Sequence, residues 1–399
     1  MALVILGSCK QEKMPKVKPA TAQYENRLIS VENNISLEDW SLTAKDLGLD
    51  GEWSVKMKEL KGGKQEDVQL IEIDNGILQL SVIPTRGMSI FSVTMGDITL
   101  GWDSPVKEKV HPKFINFEEN GGLGWLDGFN EWMTRCGMAF AGHPGMDNGS
   151  LLTLHGKIGN IPASEVQVII DEKPPHRIRI RGRVDEVRFN GPNFKLWTEL
   201  STEPGSNSFR IDDVLTNNSL KDEEFMVLYH ANFGPPLLEQ DSRLYGTIEK
   251  VVPFDAFAAS DVANWSTYTA PELNIAERVN CIYPSTDTEG KIHFVLSNAN
   301  QDKAVGFNYP VEQLPYFTQW KNMDSKGYVT GLEPGTGFPH NRSVERKYGR
   351  VPVLAAGASR SFNLEYTIYS DNEEVEAAIE KIGGSINKEV EVTTKVIEK

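Results

Sequence analysis

The sequence predicts an all-β fold, and three observations carry that prediction. Apolar and polar residues alternate over short runs, turn signals return roughly every 8 to 15 residues, and helical periodicity is clear in one late segment alone. The first alternating pair is Val68–Ile73 and Ile77–Ile83. They are joined across Asp74-Asn75-Gly76, and Asn-Gly is the strongest short hairpin signal. Met88–Met95 and Ile98–Trp102 extend the meander across Gly96-Asp97. After a loop-rich stretch over 104–150, strands are expected at Gln167–Ile170, Arg177–Val184, Phe194–Ser201 and Ser208–Leu215, then at Leu244–Val251, Lys291–Ser297, Val305–Asn308 and Ser361–Ile368. Such spacing suggests a mostly antiparallel sandwich or barrel rather than βαβ units. Residues 21–65 are mixed, with weak helical hints around 37–47. The clear helix comes late: Val375, Ala378, Ile379 and Ile382 fall at i, i+3, i+4 and i+7, with Asp371 or Asn372 as cap and Gly383-Gly384 as stop. One β domain is therefore expected over 21–385, followed by a charged tail over 386–399.

The formal net charge is −15. Nucleic acid is not an expected partner, because it calls for clustered Lys and Arg. At the N-terminus, Leu6-Gly7-Ser8-Cys9 resembles a bacterial lipobox, with Cys9 as the lipidated residue and the polar stretch to Ala20 as a tether. That reading makes 1–20 a lipoprotein signal and tether. It expects a periplasmic or outer-membrane protein whose membrane contact runs through the anchor. The competing reading is an unstructured start of a cytoplasmic protein. Cys136 and Cys281 are too few for a disulfide framework, and no run reaches the roughly 18 apolar residues of a membrane span. The oligomeric state is left open.

Several chemistries lack their signatures. No glycine-rich loop leads from a strand into a helix, no Gly-x-Ser-x-Gly is present, and neither paired histidines four apart nor a cysteine cluster suggests zinc. Three short segments stand out instead. His155 lies in Leu154-His-Gly-Lys157, where a glycine lets the backbone approach a ligand closely. His230 ends the apolar run Phe225–Tyr229 and leads into Ala-Asn-Phe-Gly. Glu333 lies in Gly331-Leu-Glu-Pro-Gly335. Two histidines and a carboxylate can move protons on and off sugar oxygens near neutral pH. Taken singly, each histidine also reads as a buried residue bonded to backbone, and the glutamate as a solvated turn carboxylate. Trp125, Phe129, Trp132 and Phe140 sit in the glycine-rich stretch, either as satellite core or as a platform for a sugar face.

These segments resemble those of the aldose 1-epimerases (galactose mutarotases). Leu154-His155-Gly156, His230-Ala-Asn-Phe233 and Leu332-Glu333 match that family's motifs in order and spacing, and Val252-Pro-Phe-Asp255 is similar to a fourth. Arg86-Gly-Met, Cys136-Gly-Met and Tyr229-His-x-Asn-Phe-Gly look most like an uncharacterised branch of the superfamily. The resemblance covers roughly residues 65–370. It departs at Lys157, at Pro334-Gly335, and at the family's substrate-binding arginine, for which Arg135 is near the right position and Arg86 belongs to the branch motif.

The resemblance implies a galactose mutarotase-like β-supersandwich of mostly antiparallel sheets with minor helices. It also implies interconversion of sugar anomers, with a small-molecule sugar as partner, no cofactor and no metal. Glu333 would take the proton of the anomeric hydroxyl, His230 would protonate the ring oxygen, and His155 would hydrogen-bond beside it. Arg86, Arg135, Asn232 and Asp255 would hold hydroxyls. Two rivals are an isomerase or lyase acting on an oxidised or uronic sugar, and a non-catalytic sugar-binding lipoprotein. With ordinary pKa values of ~4.3 for Glu and ~6.5 for His, a bell-shaped rate is expected, its acid limb belonging to Glu333 and its alkaline limb to His230.

Overall fold

A computed structural model describes residues 22–383 and 389–397. Cys9, the tether and part of the 386–399 tail lie outside the described residues. No described helix is long and apolar enough to cross a membrane.

Among the described residues, two large sheets of ten and thirteen strands dominate the chain. The ten-stranded sheet is built around Glu165–Asp171, Ile178–Val187, Asn193–Thr202, Ser208–Asn217 and Ser359–Tyr369. In Ile178–Val187 and Ser208–Asn217, buried residues alternate with more exposed ones. That alternation is the mark of a sheet with one face on the core and one toward water. The thirteen-stranded sheet carries Leu228–Phe233 near its centre, between Met133–Cys136 and Val329–Gly335. All six residues of Leu228–Phe233 are buried, which explains the unbroken apolar run leading into it: this strand is covered on both faces.

The segment before residue 65 departs from expectation. Ala22–Ser30 pairs with Glu165–Asp171 in the smaller sheet, while Asp39–Thr43 and Ser54–Glu59 extend the larger one. The helical hint at 37–47 reduces to a single 3-10 turn, Ala44–Leu47, capped by Thr43. Tertiary pairing overrides the local propensity there. The late helix runs Asn372–Gly383, with the Asp371 carboxylate accepting from Glu374 N at 2.8 Å, so Asp371 is the cap. Its buried Val375 and Ile382 pack with Val295 and Ala304 of the ten-stranded sheet.

Candidate active site

His230 and Glu333 come together through strand register. Ala231 pairs with Leu332 and Leu228 with Gly335, which sets His230 directly opposite Glu333. The paired positions skip these two residues and Tyr229/Pro334, where Pro334 has no N–H to give a neighbouring strand. His230 Nε2 lies 3.3 Å from Glu333 Oε1, close but not aligned as a hydrogen bond, and Glu333 Oε1 has no hydrogen-bond partner. Gly331 makes room for them: a Cβ there would lie 2.4 Å from Glu333 Oε1 and 3.2 Å from His230 Cε1. Glu333 is thus no solvated turn residue but a buried member of a central strand.

His155 reaches the same place from a loop. Its φ of 57° and the 70° of Gly156 form a left-handed turn. A Cβ on Gly156 would lie 2.0 Å from Phe140 O, so the glycine serves backbone packing rather than ligand approach. The Nδ1–H of His155 donates to Ala141 O at 3.0 Å, which fixes the ring. The His155 and His230 ring centroids are 5.2 Å apart.

These three side chains line the floor of a cavity of about 660 Å³. Trp102, Trp125, Phe129 and Trp320 form its walls, with Phe129 5.2 Å and Trp320 5.7 Å from the His230 ring. The aromatic-rich stretch therefore divides. Trp125 and Phe129 face the cavity, Trp132 packs between the sheets against Phe209 and Tyr366, and Phe140 joins a satellite core with Cys136 and Leu154.

Burial governs the electrostatics. It drives His230 well below the usual histidine range, with the neighbouring His155 adding to the effect. His155 is lowered to about 4, also by burial first. Glu333 is pushed well above the ordinary carboxyl range by burial, then by the Glu277 carboxylate. Burial thus favours the uncharged form of each partner, the carboxylic acid of Glu333 and the neutral imidazole of His230.

The four residues expected to hold hydroxyls do not line the cavity. Arg135 pairs with Tyr229, one residue from His230, so its side chain leaves the opposite face of the sheet. It meets Asp213 and Thr198 of the ten-stranded sheet. Arg86 is buried under the Gly124–Gly128 turn, where it donates to Gly128 O at 2.6 Å and pairs with Glu131 at 2.7 Å. Asn232 donates to Glu131 O at 3.0 Å. Asp255 caps a four-residue helix, accepting from Ala258 N at 2.8 Å. Arg86 and Asn232 thus brace, through Glu131 and Gly128, the segment that presents Trp125 and Phe129.

Sequence reasoning missed Thr318, Trp320 and Asn322, which alternate along Tyr316–Asn322 and line the cavity. Their period of two was the available signal. Glu277 and Lys326 come from loops and carried none, and Trp102, expected to end the strand Ile98–Trp102, lies in the loop after Ile98–Leu100. Among the described residues, no group of three His, Cys, Asp or Glu side chains is placed to hold a metal ion.

The family model described as Domain of unknown function (DUF4432) matches residues 65–368. The chain belongs to the DUF4432 family. A solved chain, described as a "putative aldose 1-epimerase" from Klebsiella pneumoniae subsp. pneumoniae, is 40% identical. It covers 94% of this chain, which in turn covers 99% of it, with a TM-score of 0.92. Two more distant structures share the fold. A galactose mutarotase-like protein from Clostridium acetobutylicum has 15% identity and a TM-score of 0.54, covering 79% of this chain and matched over 98% of its own. A galactose mutarotase related enzyme from Lactobacillus acidophilus has 14% identity and a TM-score of 0.52, with coverages of 76% and 98%. No curated protein matches significantly. This DUF4432 member thus has the galactose mutarotase-like fold that its motifs suggested.

Proposed function

We propose that this protein is an aldose 1-epimerase, interconverting the anomers of a free sugar through Glu333 and His230. The observation that carries the reading is the 3.3 Å approach of two buried, proton-exchanging side chains at the floor of an aromatic-walled cavity. The pair holds one proton between them. With Glu333 protonated and His230 free, Glu333 delivers its proton to the ring oxygen while His230 accepts the proton of the anomeric hydroxyl. The C1–O5 bond opens, C1 rotates, and closure on the other face returns both protons. This reverses the roles that the resemblance implies, and it follows from the directions in which burial moves the two groups. His155, held by Ala141 O, lies beside the pair and orients the ring oxygen. An isomerase or lyase on an acidic sugar finds less support, because Glu277 and Asp324 face the cavity with a single Lys or Arg, Lys326, among the described residues.

The test is the anomerisation rate of free sugars, read by NMR or polarimetry across pH. Below the lowered pKa of His230 both groups are protonated and no base remains. Above the raised pKa of Glu333 neither is protonated and no acid remains. The rate should hold a broad plateau through neutrality rather than a narrow bell between ~4.3 and ~6.5. Its acid limb belongs to His230 and its alkaline limb to Glu333, and Glu333→Gln should remove the alkaline limb along with most of the activity. Absence of acceleration on every free sugar tried would remove the proposal.

A further inference from the structure

The catalytic floor occupies the deep end of the cavity, and the outer half has a different character. Leu123 and Leu126 flank the inward-facing Trp125 on one turn and stay 37% and 44% exposed while lining the mouth. Val106 and Ile275, both partly exposed, line the cavity as well. Large apolar side chains left in water beside a pocket mark a surface that a ligand covers. The size points the same way. A cavity of about 660 Å³ lies mid-range among those that enclose drug-sized ligands, roughly 300–1,000 Å³, whereas one pyranose has only about a dozen heavy atoms.

The charge at the mouth narrows the class. Glu277 accepts from Trp320 Nε1 at 2.7 Å, and the Asp324 carboxylate accepts from Lys326 N at 2.9 Å. The Lys326 ammonium donates to Asn274 Oδ1 at 3.0 Å. Two carboxylates against one ammonium repel an added anion.

Resting on the anomerase reading, we propose that the substrate is a neutral oligosaccharide entered by its reducing end, with the reducing ring over His230 and Glu333 and the next ring against Leu123 and Leu126. A free reducing end is required, because a locked anomeric carbon cannot open. The apolar C–H face of the second ring covers the two leucines, and its hydroxyls remain toward the polar mouth.

The experiment compares kcat/KM for anomerisation of glucose, of α- and β-linked glucose disaccharides, and of glucuronic acid. At least one disaccharide should exceed glucose by about tenfold, equivalent to ~1.4 kcal/mol, and glucuronic acid should fall below glucose. Leu126→Ser, at a 44% exposed position, should collapse the disaccharide-to-glucose ratio, chiefly through KM for the disaccharide. Glucose turned over as well as every disaccharide, a ratio indifferent to Leu126→Ser, or glucuronic acid turned over best would each overturn this inference while leaving the anomerase reading in place. Failure to accelerate any of these sugars would overturn both.

Discussion

The strand Leu228–Phe233 carries a buried ionisable cluster on each of its faces, and the two differ in how they are satisfied. Toward the ten-stranded sheet, Arg135 donates to Asp213 at 3.1 Å, to Thr198 at 2.6 Å and to Met88 O at 3.1 Å, while the Tyr229 hydroxyl donates to Asp213 at 2.7 Å. Burial alone would lower the Arg135 pKa, but the Asp213 carboxylate outweighs it and holds the group above its ordinary value. Toward the cavity, Glu333 Oε1, His230 Nδ1 and Thr318 Oγ1 are buried without hydrogen-bond partners. A closed network gives a stable interior, whereas polar atoms left open beside a cavity cost stability and persist where a ligand completes them. The same strand thus closes its polar network on one face and leaves polar atoms open on the other, and the open face carries the histidine of the motif resemblance, opposite Glu333.

That comparison can be broken by substitutions on each side. The largest effect is expected on the cavity face. His230→Ala and Glu333→Gln should each reduce turnover by about 10²- to 10⁴-fold, and the double variant should be little worse than either single one. Melting temperatures should not fall, since neither side chain closes a network. Near-normal turnover in both folded variants would show that the open cluster is not catalytic.

On the opposite face the expectation inverts. Asp213→Ala leaves Arg135 buried without its counter-charge and should cost about 3–5 kcal/mol of stability, read by urea unfolding. Any loss of activity should track the unfolded fraction, and addition of a sugar that binds the cavity should recover folded protein by mass action. A fully stable but inactive Asp213→Ala would transfer this cluster to the catalytic side of the comparison.

The smallest effect sharpens the geometry. In Gly331→Ala the new methyl would stand 2.4 Å from Glu333 Oε1, so the carboxyl must move. A shift of this size at the reacting group should lower kcat roughly tenfold or more, with less change in KM. An unchanged kcat would mean that the His230–Glu333 spacing is not critical.

Much of this molecule was legible before folding. Alternating runs and Asn-Gly turns predicted the sheets, and Val375, Ala378, Ile379 and Ile382 the late helix, because both rest on local periodicity. The order of Leu-His-Gly, His-Ala-Asn-Phe and Leu-Glu singled out His155, His230 and Glu333, all of which the cavity floor collects. What only tertiary structure decided was the side on which each residue falls. Arg135 directly follows Thr134, the residue paired with His230, yet its own register opposite Tyr229 sends it to the other face. Arg86 and Asp255 likewise find partners in the Gly124–Gly128 turn and a short helix. Glu277 and Lys326 reach the cavity from loops without periodicity. Protonation was shaped there too: a sequence supplies a carboxyl and an imidazole with ordinary pKa values, and burial in a shared site raises the one and lowers the other, so that each leans toward its neutral form.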